Sequence, residues 1–222
     1  MLRFLQELEN LKRDLIAMAD EAIAMIHDAV QSILSKDVTL AHKVLDAEER
    51  INKREVEIED RAIGLIARFQ PEAENLRTLV MVIKINNDLE RIADHAVNIA
   101  KRAEIIVQEP QVKPYVDLPK MAQITEGMLR DAVQSFIQEN PGLAHGVCVR
   151  DDLVDNLYDA IFKELVEIMI QEPSTVERAI RIIQVCKSLE RVADLATNIC
   201  EDVIYMVEGR IIKHGFDRQQ NP

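Results

Sequence analysis

The chain has 222 residues, 48% hydrophobic and 30% charged, with 6 Gly, 7 Pro and no Trp, a balance that suits long amphipathic helices, an all-α fold and room for two cores. Its net charge of −12 excludes the basic footprint that a phosphate backbone demands, so nucleic acid is not an expected partner, while cations and basic proteins are. No apolar run reaches the ~18 residues needed to span a bilayer, which excludes direct membrane insertion.

The first helix is predicted over 2–36. Its opening, MLRFLQELENLKRD, places acids where a secretory signal has an unbroken apolar region, so the protein is expected in the cytoplasm. Lys36-Asp37-Val38-Thr39 reads as a turn with Asp37 or Thr39 as N-cap, and a second helix runs to about Phe69. Pro71 suits the first turn of a third helix that continues to about Gln108. The three prolines of EPQVKPYVDLP, residues 109–119, mark a linker. Beyond it a helix is expected from about 118 to 139, a turn at Asn140-Pro141-Gly142, a helix to about Gln171 and a last helix from Pro173 to Gly209.

The second half repeats the first. DAVQS at 28–32 returns at 131–135, LAH at 40–42 returns at 143–145, and LERIADHAVNI at 89–99 returns as LERVADLATNI at 189–199. Six long helices in two groups of three imply two tandem three-helix bundles, over 1–110 and 115–212. In the third helix Ile85, Leu89, Ile92, Ala96 and Ile99 form a stripe that must face the other two helices of its unit, and Val185, Leu189, Val192, Ala196 and Ile199 do the same in the second. Met18, Met25, Met121 and Met128 read as core filling, and His42 and His145 as buried or half-buried packing residues. Cys148, Cys186 and Cys200 are odd in number and lack CxxC spacing, so they read as small core residues rather than a disulfide or zinc framework.

Opposite each stripe stands a ladder of oxygen-bearing side chains. Glu90 and Asp94 are one helical turn apart with Asn98 further round, set beside Ile83 and Val97; Glu190, Asp194 and Asn198 repeat the ladder beside Ile183. Like charges at this spacing repel, and a hard cation offsets the repulsion when a second helix adds ligands. The middle helices offer them: Asp151 and Asp155 in the second unit, and Glu48 and Asn52 at the matching positions of the first. Glu55 and Glu59 continue the first-unit face, whereas their counterparts are Tyr158 and Phe162. Fe, Mn, Mg or Zn ions are therefore the candidate occupants. The bland alternative is a metal-free helical scaffold or adaptor whose acids are solvated or neutralised by Arg91, Arg191 or a neighbouring Lys. An enzyme is not expected: Ala93 and Ala193 stand where a di-iron ExxH motif needs His, and Walker A, GxSxG and HExxH patterns are missing.

Tandem units that each carry LERxADxxxNI after a polar or acidic pair on the preceding helix resemble the phosphate-uptake regulator (PhoU) family. The likeness rests on KINNDLERIADHAVNIA at 84–100, KSLERVADLATNICEDVIYMVEG at 187–209 and the ExxxN and DxxxD pairs at 48–52 and 151–155. It implies a cytoplasmic negative regulator of phosphate uptake and phosphate-starvation signalling. Such a protein docks on a phosphate ABC transporter ATPase and a phosphate-sensing histidine kinase, forms a homodimer and holds surface metal clusters. Carried over by residue, the metal candidates are Glu48, Asn52, Glu90 and Asp94 in the first unit and Asp151, Asp155, Glu190 and Asp194 in the second. Asn52 departs from the acidic pattern, and an amide is a weaker ligand than a carboxylate.

Overall fold

A computed structural model describes residues 2–210. Every regular element among them is helical. Helix α1, Leu2–Ser35, buries Leu8, Leu11, Leu15, Met18, Ala22, Met25 and Ala29, the three- and four-residue spacing of one apolar face. It stops where Lys36 turns left-handed (φ 57), and Ser32, buried, donates its hydroxyl to Ala29 O (2.7 Å) and accepts Asp37 N at its carbonyl (3.0 Å). Asp37 then caps α2, Val38–Phe69, by accepting from Thr39 N at 2.9 Å. The same device closes α4, Asp117–Ile137: Glu139 is left-handed, Ser135 Oγ donates to Ala132 O, Asn140 N bonds Ser135 O, and Asn140 caps the next helix through Leu143 N. The repeated DAVQS is thus a helix stop, with its serine as the working atom.

Helix α3 is Ala73–Ile106. Pro71 precedes it instead of entering its first turn, because Gln70 (φ 45) caps α2 through Ile66 O and Glu72 takes the extended N-cap conformation. Asn140-Pro141-Gly142 likewise serves as a cap and first turn rather than a free loop, with Pro141 as the first residue of α5, Pro141–Cys148. Where one helix to Gln171 was expected, the chain turns at Val149-Arg150 and restarts as α6, Asp151–Gln171. Gly146 stands where the first unit has Lys43, at a cost of ~1 kcal/mol in a helix interior, and the β-branched Val147 and Val149 lie just before the turn and at its first residue. Pro173–Thr175 forms a separate 3-10 turn ahead of α7, Val176–Glu208, which ends on the left-handed Gly209 (φ 68).

The central pair is α3 and α7, antiparallel across the seam between the units: Lys84 pairs with Asp202 at one end, and Arg102 Nε donates to Gln184 Oε1 (2.9 Å) at the other. The expected stripes do not face their own bundles alone. Ile85 and Leu89 line a small apolar void together with Leu15 and Ala19 of α1, Val133 and Phe136 of α4 and Ile199 of α7, so one continuous core joins both units. Val97, on the side expected to look outward, is buried as well. The methionines at 18, 25, 121 and 128 lie in this core. The histidines do not: His42 and His145 are exposed, and His42 Nε2 pairs with Glu104 at 3.1 Å.

Candidate metal centre

The break between α5 and α6 determines the second carboxylate cluster. It puts Asp151 at the first residue of α6, where an acid is favoured by the unsatisfied N–H groups of the helix start, and Asp155 follows one turn later. Glu190 and Asp194 approach from α7. All four act on one another. Burial raises the Asp151 carboxyl to about 6, helped by the charges of Asp155, Asp194, Asp152 and Glu190. Asp155 is raised by burial first and then by Glu190, Asp194 and Asp152, against a smaller opposite pull from Lys187. Asp151 and Asp155 of α6 thus lie within electrostatic reach of Glu190 and Asp194 of α7.

Two cations complete the surroundings. Lys187 Nζ donates to Glu190 Oε1 (2.7 Å), and Arg191 Nη1 donates to Asp194 Oδ2 (2.9 Å) with Nε 3.7 Å from Glu190 Oε2. Lys187 also sits 5.1 Å above the Tyr158 ring, which stacks obliquely on Phe162. As the side chains stand, no three His, Cys, Asp or Glu among the described residues close on a single point. Yet Asp151 Oδ1 and Glu190 Oε2 are buried with no hydrogen-bond partner. Each orphaned acceptor costs roughly 1–3 kcal/mol, and a hard cation satisfies acceptors of this kind. The donor set therefore fits a metal once Lys187 and Arg191 swing aside.

The first cluster is assembled differently. Burial raises Glu90, with Asp94 and then Glu55 adding to it and Arg91 opposing; Glu55 is raised by burial and by Glu59. Asn86 Nδ2 donates to Glu55 O (2.8 Å) and sets the register of α2 against α3. The acid of α2 that acts on Glu90 is Glu55; of the α2 pair expected there, Glu48 is half-buried and Asn52 exposed. Glu55 and Glu59 also open onto a cavity of about 390 Å³ with Lys84, Asn87, Asp88, Asn198 and Asp202. Between the clusters stands His95, whose Nδ1 is buried without a partner and whose pKa is lowered by burial and then by Arg91, with Arg191 adding to it against Asp94 and Glu190. Leu195 stands at the matching position of the second unit, so the repeat does not single His95 out; the antiparallel α3–α7 pairing brings it near both clusters.

Asp151 carries a stability consequence. Its carboxyl is raised in the folded state, so its contribution favours folding below the ordinary carboxylate range and is lost as pH rises through about 6. Asp151→Asn is expected to raise the melting temperature of metal-free protein at pH 7.5 and to leave it unchanged at pH 4. Differential scanning calorimetry at the two pH values checks this.

The chain matches the PhoU domain model twice, over residues 15–103 and 118–203. It is 40% identical over 213 residues to the phosphate-specific transport system accessory protein PhoU homolog of Aquifex aeolicus, covering 96% of each chain. The homolog of Clostridium acetobutylicum is 36% identical over 208 residues, 93% of this chain and 95% of that one. The crystal structure of PhoU from Pseudomonas aeruginosa superposes with a TM-score of 0.91 at 34% identity, covering 93% of this chain and 100% of that one. The phosphate transport system regulatory protein PhoU from Streptococcus pneumoniae follows at 0.87 and 25%, with 95% and 99% covered. Among the described residues no helix is long and apolar enough to cross a membrane.

Proposed function

Because the chain belongs to the PhoU family, we propose that it regulates phosphate uptake from the cytoplasm by docking, as a homodimer, on a phosphate ABC transporter ATPase and a phosphate-sensing histidine kinase. It is a regulatory accessory protein and not an enzyme. The proposal extends to metal: Asp151, Asp155, Glu190 and Asp194 hold a hard or borderline cation such as Fe, Mn, Mg or Zn, with Glu90, Asp94, Glu48 and Asn52 as the weaker first-unit set. The observation that carries it is the meeting of four carboxylates from α6 and α7, two of them with a buried unsatisfied oxygen. A cation held by these carboxylates would supply positive charge there, and Lys187 and Arg191 would then part from Glu190 and Asp194. The chain's own residues do the rest: the released basic side chains change the charge a partner meets, which favours one partner conformation over another.

A second reading has its own support. Lys187 and Arg191 already neutralise much of the cluster, which is what a metal-free scaffold needs. Elemental analysis of protein purified without chelator separates the two. For docking, the test is co-purification of the transporter ATPase and the kinase with wild type and with a variant in which Glu90, Asp94, Glu190 and Asp194 are all alanine. Capture is expected to fall at least tenfold, and undiminished, phosphate-responsive capture sinks the reading.

A further inference from the structure

The cavity of about 390 Å³ takes its walls from α2, α3 and α7. Glu55 and Glu59, half-buried and one turn apart, form the α2 wall, while Ile83 and Asn87 of α3 and Asn198 of α7 add an aliphatic surface and two amides. The other two acids of the lining have basic partners: Asp202 pairs with Lys84, and Arg91 Nη1 donates to Asp88 Oδ1 (3.4 Å). Glu55 and Glu59 have none among the described residues. Asn86, 1% exposed, donates Nδ2 to Glu55 O and keeps its Oδ1 without a hydrogen-bond partner, an acceptor in hand at that wall.

The internal duplication supplies a reference for this place. By the repeat offsets Glu55 and Glu59 match Tyr158 and Phe162, Asn87 matches Lys187, and Asp202 matches Arg102. There the chain brings its own cations. Lys187 Nζ stands 5.1 Å from the centre of the Tyr158 ring, which packs on Phe162. Arg102 bonds Gln184 Oε1 (2.9 Å) and Asn98 O (2.6 Å), the residues that match Lys84 and Asn198. The first unit therefore has carboxylates where the second has aromatic rings and a guanidinium, and an amide where the second has an ammonium.

We propose that this cavity binds a short aliphatic polyamine, its ammonium groups taken by Glu55, Glu59 and the amide oxygens of Asn87 and Asn198 and its methylene chain laid against Ile83. Lys84 on Asp202 shows a primary ammonium already accommodated in the same lining. Four carboxylates exclude an anion. A single metal ion needs its oxygens at about 2.0–2.6 Å from one point, whereas these acids stand on three helices around a space of the size that holds small organic ligands. An elongated cation reaches them without drawing the helices together. The proposal rests on neither the docking reading nor the metal reading of the second cluster.

Titration calorimetry of the chelator-treated full-length chain with spermidine, in 0.15 M NaCl to screen diffuse attraction, tests it. One saturable site per chain is expected. Glu55→Gln with Glu59→Gln should weaken it at least tenfold, whereas Glu49→Gln with Glu57→Gln, which removes the same charge from exposed positions of α2, should leave it within twofold. Asn87→Lys should also weaken binding at least tenfold with every acid kept, since it gives the first unit the lysine of the second. Circular dichroism confirms that each variant folds. Equal weakening by the two glutamine pairs, wild-type affinity in Asn87→Lys, full displacement by equimolar Mg²⁺ or a wild type without saturable binding overturns the proposal.

Discussion

A variant carrying Asp151→Asn, Asp155→Asn, Glu190→Gln and Asp194→Asn is expected to lose divalent-metal affinity at the second cluster by at least ~100-fold, about 2.7 kcal/mol, while its metal-free form melts above the wild type at pH 7.5. The two changes share a cause. Burial and the neighbouring carboxylates of α6 and α7 disfavour the ionised forms of Asp151 and Asp155, a repulsion that an ion would offset. Amides keep the shape and the acceptor oxygens but lack the charge that holds a hard cation. Titration calorimetry with Mn²⁺ measures the affinity and scanning calorimetry the stability. Equal Mn²⁺ binding by variant and wild type would remove the cluster from the metal account, and a wild type that takes up no metal would leave the scaffold reading.

The same comparison separates the two units. In the first unit Glu55 acts on Glu90 and Glu59 stands beside Glu55, where the second unit has Tyr158 and Phe162. Lys187, which donates to Glu190, corresponds to Asn87 in the first unit. The first cluster is therefore more acidic on its α2 side, and the second carries its counter-ion within its own helix. One molecule thus carries two related but differently charged clusters. A single-copy three-helix bundle could not offer that.

Much of this was legible because the duplication fixes register. LERxAD repeated on two helices places Glu90 with Asp94 and Glu190 with Asp194, and a DxxxD pair on the preceding helix points at Asp151 and Asp155. Helix ends at Ser35, Phe69 and Glu208 lie within a residue or so of where turn residues put them. What one repeat cannot reveal is how it meets the other. The apolar stripe of Ile85 to Ile99 is equally consistent with an isolated bundle, and only the α3–α7 pairing shows it shared with α4 and α7. Apolar periodicity continues through the α5–α6 break, and the sequence marks it only by Gly146 in place of Lys43. His42 turns outward, against the packing role its apolar neighbours suggest, because the acid Glu104 stands within reach.

Leu89→Ala is expected to destabilise the protein by about 3–5 kcal/mol, the upper part of the range for buried leucines. Leu89 is fully buried and lines the void between α1, α3, α4 and α7, so its loss enlarges a gap that four helices must collapse to fill. For a domain of this size each kcal/mol moves the melting temperature by roughly 2–4 °C, which gives a drop of about 6–20 °C. The transition should also stay single and shift as a whole. A core that runs unbroken from Leu15 through Leu89 to Phe136 and Ile199 gives neither unit a private melting event. Two separated transitions in scanning calorimetry, with only the lower one displaced, would instead mean that each unit folds on its own contacts and that the α3–α7 seam contributes little to holding the two carboxylate clusters in fixed relation.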